Sequence, residues 1–298
     1  LKQGQGRPVY RYQQGIMMDI KVIGIGDNVV DKYLHSGVMY PGGNALNFAV
    51  YARLAGCESA FLGAFGNDAA AQHVRDTLQE LEIDCQRSRH YIGENGYACI
   101  RLVDGDREFV TSNKNGVLRE HPLQLSDDDL DYIAQFDAVH SSINGFLESE
   151  LAKIKQRNVT LSFDFSGRGT DDYFKQVCPW VDYGFISCGA LSVEETINKI
   201  YKFYDYGCKH VIATRGHEKV YYYAGNKLIE WQPVYIQPVD TLGAGDAFLT
   251  GFMLSILACG KPQPEHDDII RAMTAGGKSA SQVLHHYGAF GFGKPYSG

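Results

Sequence analysis

The stretch Lys21-Val22-Ile23-Gly24-Ile25-Gly26-Asp27 decides how the chain is to be folded. It is a short apolar run closed by glycine and aspartate. Runs of the same kind recur at 59–65 (SAFLGAF), 137–143 (DAVHSSI), 159–166 (VTLSFDFS), 183–187 (YGFIS) and 210–216 (HVIATRG). Apolar runs this short, bounded by turn residues, read as strands covered on both faces. Between them the apolar period changes: Val74, Leu78 and Leu81 are spaced by four and three, and Leu151 and Ile154 by three, which lines one face of a helix. Strands joined by helical crossovers run parallel. The expectation is an α/β protein in which helices flank a central, mostly parallel sheet.

One part of the chain breaks that rhythm. Residues 97–103 (YACIRLV), the turn 104–106 (DGD) and 107–112 (REFVTS) read as an antiparallel hairpin. Together with 29–40 (VVDKYLHSGVMY) they predict a small second sheet, a β lid at about 29–41 and 91–112, inserted into a single domain that spans 19–298. No Pro/Ser linker, composition shift or internal repeat divides the chain. Residues 1–18 stand outside that domain as a leader or an expression remnant, with Met17 or Met18 as the native start. The first sixteen lack the apolar core and the small-residue cleavage site of a signal peptide.

Composition narrows the function. With 298 residues, 44% apolar and 21% charged, the chain has room for a large core. Lys and Arg total 28 against 35 Asp and Glu, a net charge of −7 without any dense basic run, which argues against a nucleic-acid partner. The most apolar stretch, 247–259, is interrupted by Thr250, Gly251 and Ser255, so no run of about 18 apolar residues offers a membrane span. The seven cysteines are scattered without a C-x-x-C pair, as expected of reduced thiols in a cytoplasm.

The strongest chemical signal is Asp240-Thr241-Leu242-Gly243-Ala244-Gly245-Asp246-Ala247-Phe248, ahead of a helix-length apolar segment. Small residues before a helix leave backbone N–H groups bare, and the helix N-terminus adds partial positive charge, which makes a cradle for phosphate. Asp246, in the first turn, would place a carboxylate beside the cradle, suited to take a proton from a hydroxyl attacking phosphorus. The alternative is an ordinary helix start with a dipole-matched acid. The second signal, 41–56 (PGGNALNFAVYARLAG), is a glycine-rich helix entry with a Gly56 cap. Asn44 and Asn47 are polar groups that a purely structural helix face would not need, and a polyol ligand would use them.

These two segments, GGNALNFAVYARLAG and DTLGAGDAF, resemble the signatures of the ribokinase-like (PfkB) carbohydrate kinases, and the resemblance runs from Lys21 over essentially the whole chain. Within that family, IGDNVVDKYL, FDFSGR and DTLGAGDAFLTGF are similar to the fructoselysine 6-kinase branch, whose members phosphorylate Amadori sugar-amino-acid adducts. The resemblance implies a three-layer ribokinase-like fold and transfer of the γ-phosphoryl group of ATP to the 6-hydroxyl of such a sugar. Mg²⁺ would screen the phosphates, and a monovalent cation such as K⁺ is a further option. It implies Asp246 as catalytic base and Gly243, Ala244 and Gly245 as the anion hole. Asp31 matches an acid near the end of the first strand that holds sugar hydroxyls, Gly42, Gly43, Asn44 and Asn47 match the sugar-side loop, and Asp27 is a further candidate whose alternative is a strand-end turn residue.

On the nucleotide side the resemblance assigns Thr214 and Gly216 of a T-x-G turn, Thr241, and Ala275, Gly276 and Lys278 of the late helix. Two departures stand out. The place of a second glycine after the T-x-G turn holds Lys219, and the family's N-x-x-E element, which organises metal and phosphate, is replaced by Ser187-Cys188-Gly189-Ala190. Glu194 or Glu195 could serve instead, or be exposed helix acids; the metal ligands are unknown. Fructoselysine carries a carboxylate as well as amines, and Arg168, after the FDFS strand, is the candidate carboxylate partner, with a solvated loop arginine as the alternative. Asp164 and Ser166 belong to the same strand end. Tyr97, Arg101 and Arg107 of the hairpin could cover the sugar. His140, His285 and His286 read as structural. A lid sheet with one exposed face suggests a homodimer. The competing functions are a kinase for a simple sugar such as fructose or ribose and a non-catalytic sugar-binding protein on the same fold. A dinucleotide-binding dehydrogenase is weakened by the lack of a strand-to-helix G-x-G-x-x-G.

Overall fold

The structure is a computed structural model and describes residues 19–103 and 106–296, the side chains of 102–107 excepted. The chain opens with β1 (Lys21–Gly26), the hairpin of β2 (Val29–Tyr33) and β3 (Val38–Gly42), then α1 (Asn44–Leu54), β4 (Glu58–Phe65), α2 (Ala69–Glu80) and β5 (Arg89–His90). A second hairpin, β6 (Gly96–Val103) and β7 (Asp106–Ser112), is followed by α3 (Gly116–Glu120) and α4 (Asp127–Ile133). Strand and helix then alternate: β8 (Ala138–Ser142), α5 (Leu151–Lys155), β9 (Thr160–Asp164), α6 (Asp171–Val177), β10 (Tyr183–Ser187), α7 (Val193–Asp205) and β11 (His210–Thr214). The last elements are β12 (Val220–Tyr223), β13 (Ile229–Trp231), α8 (Ala244–Cys259), α9 (His266–Val283) and β14 (Lys294–Pro295).

The main sheet has the order β13-β12-β11-β10-β9-β8-β1-β4-β5. From β11 to β5 every neighbouring pair is parallel, as the helical crossovers require, and only β12 and β13 run antiparallel at one edge. Alternate residues of β1 feed two apolar layers. Val22 packs with Phe48 of α1 and Phe252 of α8, whereas Ile23 and Ile25 join Leu62, Leu161 and Phe163 on the other face. Burial on both faces is why β1 and β4 carry unbroken apolar runs rather than alternation. Deleting a buried ring such as Phe252, fully enclosed by this layer, costs about 3–5 kcal/mol.

The second sheet has the order β14-β3-β2-β6-β7. The hairpin read from the sequence at 97–112 is present in it as β6 and β7, the segment 29–40 joins it as expected and forms a hairpin of its own, and β14, which no sequence pattern marks, pairs antiparallel with β3. The helix over Val74 and Leu78 is α2, opened by Asp68, whose side chain accepts from the Ala71 N–H at 2.9 Å, while Leu81 closes it. No helix among the described residues is long and apolar enough to cross a membrane. All seven cysteines are unpaired. For function the decisive feature is convergence: the carboxyl ends of β1, β8 and β9 face the N-termini of α1 and α8, the crevice where α/β sheets bind ligands.

Candidate active site

Gly43 precedes α1 with a positive φ and supplies no side-chain cap. Asp27, just after β1, does this instead. The backbone N–H of Asn44 donates to Asp27 Oδ2 at 2.7 Å and that of Ala45 to Oδ1 at 3.2 Å, and Ser142 Oγ donates to Oδ1 at 3.1 Å. Burial pushes the Asp27 carboxyl up against the lowering effect of these bonds. Both of its oxygens thus hold the start of α1, which fits the turn-residue alternative and fixes the two asparagines that follow.

Those asparagines meet Asp246. Gly243 caps α8 in a left-handed conformation (φ 74°), where a Cβ would lie 2.4 Å from the Tyr51 hydroxyl, so only glycine fits the entry turn. The N-terminus of α8 has no side-chain cap and the space above Gly245 is open; the Ala244 N–H donates to the Thr241 carbonyl at 3.3 Å, which leaves the Gly245 amide for a ligand. Asp246, third in this turn, accepts from Asn44 Nδ2 at 2.7 Å through Oδ1 and from Asn47 Nδ2 at 2.6 Å through Oδ2. Asn44 Nδ2 also donates to Asp164 Oδ2 at 2.6 Å, and the Ser166 N–H donates to Asp164 Oδ1 at 2.7 Å. Asn47 is buried, and its Oδ1 has no hydrogen-bond partner among the described residues, an acceptor left over for a hydroxyl.

Four carboxylates therefore share one end of the cleft. Burial, then the charge of Asp164, pushes the Asp246 carboxyl well above the ordinary carboxylate range, with Asp27 and Asp31 adding to the effect and the Asn47 bond opposing it. Asp164 is raised to about 6, first by burial and in part by Asp27, while the Ser166 amide, Asn44 and Arg168 oppose. A buried carboxyl of raised pKa beside an uncapped helix N-terminus is suited to receive a proton at the point where an anion is bound.

Asp31 is not placed at the end of the first strand. Gly26 (φ 136°) and Asp27 end β1, and Asp31 lies in the middle of β2, on the lid sheet, opposite Tyr40. It still reaches the cleft, buried beside the end of β3: a Cβ on Gly42 would come within 2.6 Å of its Oδ2, so Gly42 makes room for the acid.

The cleft encloses about 1060 Å³, at the upper end of what small-molecule sites span. Asp27, Asp31, Gly43, Asn44, Asn47, Gly243 and Asp246 line it, as do Tyr97 and Phe109 of the lid. Its outer rim carries Lys114, Arg119 and Arg168, all exposed, none with an ion pair among the described residues. Arg168 donates to Asn144 Oδ1. Of the two lid arginines, Arg101 is exposed on β6, beyond a bulge between Cys99 and Ile100 that shifts the register, and the Arg107 side chain lies outside the described residues.

The nucleotide-side residues sit further along. Thr214 ends β11, two strands and about 10 Å from β9, and Gly216 turns there with φ 62°. Thr241 lies in the loop ahead of α8, and Ala275, Gly276 and Lys278 lie on α9, packed along α8. None of these lines the cleft that holds Asp246. Glu195 is taken by its own helix: Oε2 accepts from the Ser192 N–H at 2.8 Å in a capping box. Glu194 is exposed on the same turn. Among the described residues no group of three His, Cys, Asp or Glu side chains is arranged to hold a metal ion.

His140, read as structural from the sequence, lies next to the site. It is fully buried on β8, opposite Gly24 of β1, and its Nε2 lies 2.7 Å from Asn44 Oδ1 and its Nδ1 2.9 Å from Ser162 Oγ. A lone histidine in an apolar strand carries no sign of this; only the pairing of β8 beside β1 brings it under α1.

Residues 14–292 match the model of the pfkB family carbohydrate kinases. The chain is 39% identical to the fructosamine kinase FrlD of Bacillus subtilis (strain 168), over 93% of this chain and 95% of that protein. It is 28% identical to fructoselysine 6-kinase of Escherichia coli (strain K12), over 89% and 98%. A solved ribokinase of Arabidopsis thaliana, complexed with ribose and ATP, shares the fold at a TM-score of 0.75, with 18% identity over 92% of this chain and 94% of the other.

Proposed function

The chain belongs to the pfkB family of carbohydrate kinases and is an ATP-dependent kinase, and from that premise we propose that it phosphorylates the 6-hydroxyl of fructoselysine or a related Amadori compound. The observation that carries the acceptor is the charge layout of one cleft: carboxylates at the inner end, and at the rim three exposed cations with no ion pair among the described residues. An Amadori adduct of an amino acid has the matching layout, with a polyol to bury and a carboxylate to present outward. Arg168 is the proposed clamp for that carboxylate, with Lys114 and Arg119 as neighbours.

In the proposed reaction Asp246 takes the proton of the 6-hydroxyl as that oxygen bonds to the γ-phosphorus and the bond to the bridging oxygen of ADP breaks. The amides of Gly243 and Gly245, with that of Ala244 if it leaves the Thr241 carbonyl 3.3 Å away, meet the charge on the transferred group; loss of one such donor typically costs about 3 kcal/mol. Asn47 offers its free Oδ1 to a sugar hydroxyl, with Asp27, Asp31, Gly42, Gly43 and Asn44 around it. The adenosine end would run toward Thr214, Gly216, Thr241, Ala275 and Lys278. Mg²⁺ would arrive on the ATP phosphates rather than in a protein cage, which suits a cation that keeps most of its waters; bound there it offsets phosphate charge. Unpaired cysteines fit a cytoplasmic location, and exposed Phe109 and Val110 on the edge strand β7 fit pairing of two lids.

Rates of ADP formation on fructoselysine, free fructose and ribose at equal ATP test the acceptor. The proposal expects the Amadori compound to have by far the highest kcat/KM; equal or better use of a plain sugar would overturn it.

A further inference from the structure

We propose that His140 is a positioning residue for the phosphoryl-transfer site: as a neutral ring protonated on Nε2, it fixes the side-chain amide of Asn44 so that its NH₂ group faces Asp246 and Asp164. The inference rests on the reading of Asp246 as the base and adds a residue which that reading does not contain.

With Asp246 ionised, as a base must be, and Asp164 ionised above about pH 6, the donors around Asn44 take one arrangement. Ionised carboxylates only accept, and Asn44 has Asp164 Oδ2 at 2.6 Å and Asp246 Oδ1 at 2.7 Å on one side of its amide, so that side is the NH₂. Its Oδ1 then faces His140 Nε2 at 2.7 Å, and that nitrogen must carry a proton. His140 Nδ1 is then left as acceptor for the Ser162 hydroxyl at 2.9 Å, which in this tautomer turns to it from the Val139 carbonyl 3.3 Å away. Burial holds the ring neutral, down to about pH 3, and Phe48 of α1 packs against it with ring centroids 4.7 Å apart. Without the Nε2 donor nothing prevents the amide from turning over, which would aim Oδ1 at two carboxylates. Asp246 would lose one of its two side-chain donors and gain a negative partial charge.

Asp246 faces Asp164 on β9, Asp27 after β1, Asp31 on β2 and the asparagines of α1, and Arg168 acts on Asp164. Turning one donor into an acceptor in that acidic setting raises the proton affinity of the pair. His140→Phe keeps the ring and loses the donor; His140→Gln keeps a donor of similar reach. We expect His140→Phe to lower kcat about tenfold or more at pH 7 and to move the acid limb of the kcat profile upward by about one pH unit, a tenfold change in proton affinity. KM for ATP stays unchanged, and His140→Gln restores the limb. An unmoved limb in a folded His140→Phe enzyme, or no rescue by Gln, overturns the proposal. Should His140→Phe not fold, ¹⁵N NMR of the unmodified full chain decides: the Nε2–H tautomer of a neutral ring supports it, and Nδ1–H or a charged ring near neutral pH overturns it. Full activity of Asp246→Asn would instead remove the base reading, while the tautomer measurement would still report on the His140–Asn44 bond.

Discussion

Asn44, 202 residues before Asp246 in the chain, donates one amide group to both Asp246 and Asp164. That single contact joins the two segments whose sequences carry the kinase signature and adds a third, from the end of β9. It makes the first turn of α1 a support for Asp246 as well as a wall of the cleft.

The pH profile follows from the carboxylate cluster. Asp246 is raised by burial and then by Asp164, so kcat should fall on acidification well above the pH at which an ordinary carboxylate protonates. Asp164→Asn removes the negative neighbour, lowers the proton affinity of Asp246, and should shift the acid limb to lower pH. A series of kcat values from pH 5 to 8 in both proteins checks the sign.

Buried groups of opposite effect make stability depend on pH, and His140 and Asp164 show the two signs. His140, lowered from 6.5 to about 3, binds its proton more readily unfolded, so stability falls as pH drops below 6.5. Asp164, raised from 3.8 to about 6, binds its proton more readily folded, so between about 6 and 3.8 its contribution rises as pH drops. Each contributes up to about 1.4 kcal/mol per pH unit within its window. Asp164→Asn removes one compensating group, so urea unfolding should show a steeper loss from pH 6.5 to 5 than in the unmodified protein.

Substrate choice is tested at the rim. Arg168→Ala should raise KM for fructoselysine about tenfold, the worth of a charge-assisted bond of roughly 1.5 kcal/mol, and leave KM for free fructose unchanged. Equal effects on both sugars would place Arg168 outside the clamp role.

The layers, the parallel sheet, the hairpin at 97–112 and the place of 29–40 in the lid sheet are legible in the sequence, because apolar period and turn residues are local properties. Gly243 and Asp246 were legible for the same reason: the motif and the helix it starts are contiguous. What stayed hidden depends on strand order. His140 acquires its partner only because β8 lies beside β1 under α1, and β14 is two residues long with no pattern of its own. Asp31 was placed one strand early because the chain breaks at Gly26 and Asp27 and restarts as β2 within three residues. Lys114 and Arg119 look like surface charges until β7 and α3 carry them to the rim that Arg168 also reaches.

The most direct measurement is turnover of Asp246→Asn with fructoselysine and ATP, alongside the dissociation constant for ATP. If Asp246 takes the proton of the attacking 6-hydroxyl, kcat falls about 10²–10⁴-fold while ATP binding stays within a few-fold of the unmodified enzyme. An Asn variant that turns over at near the original rate would contradict the account.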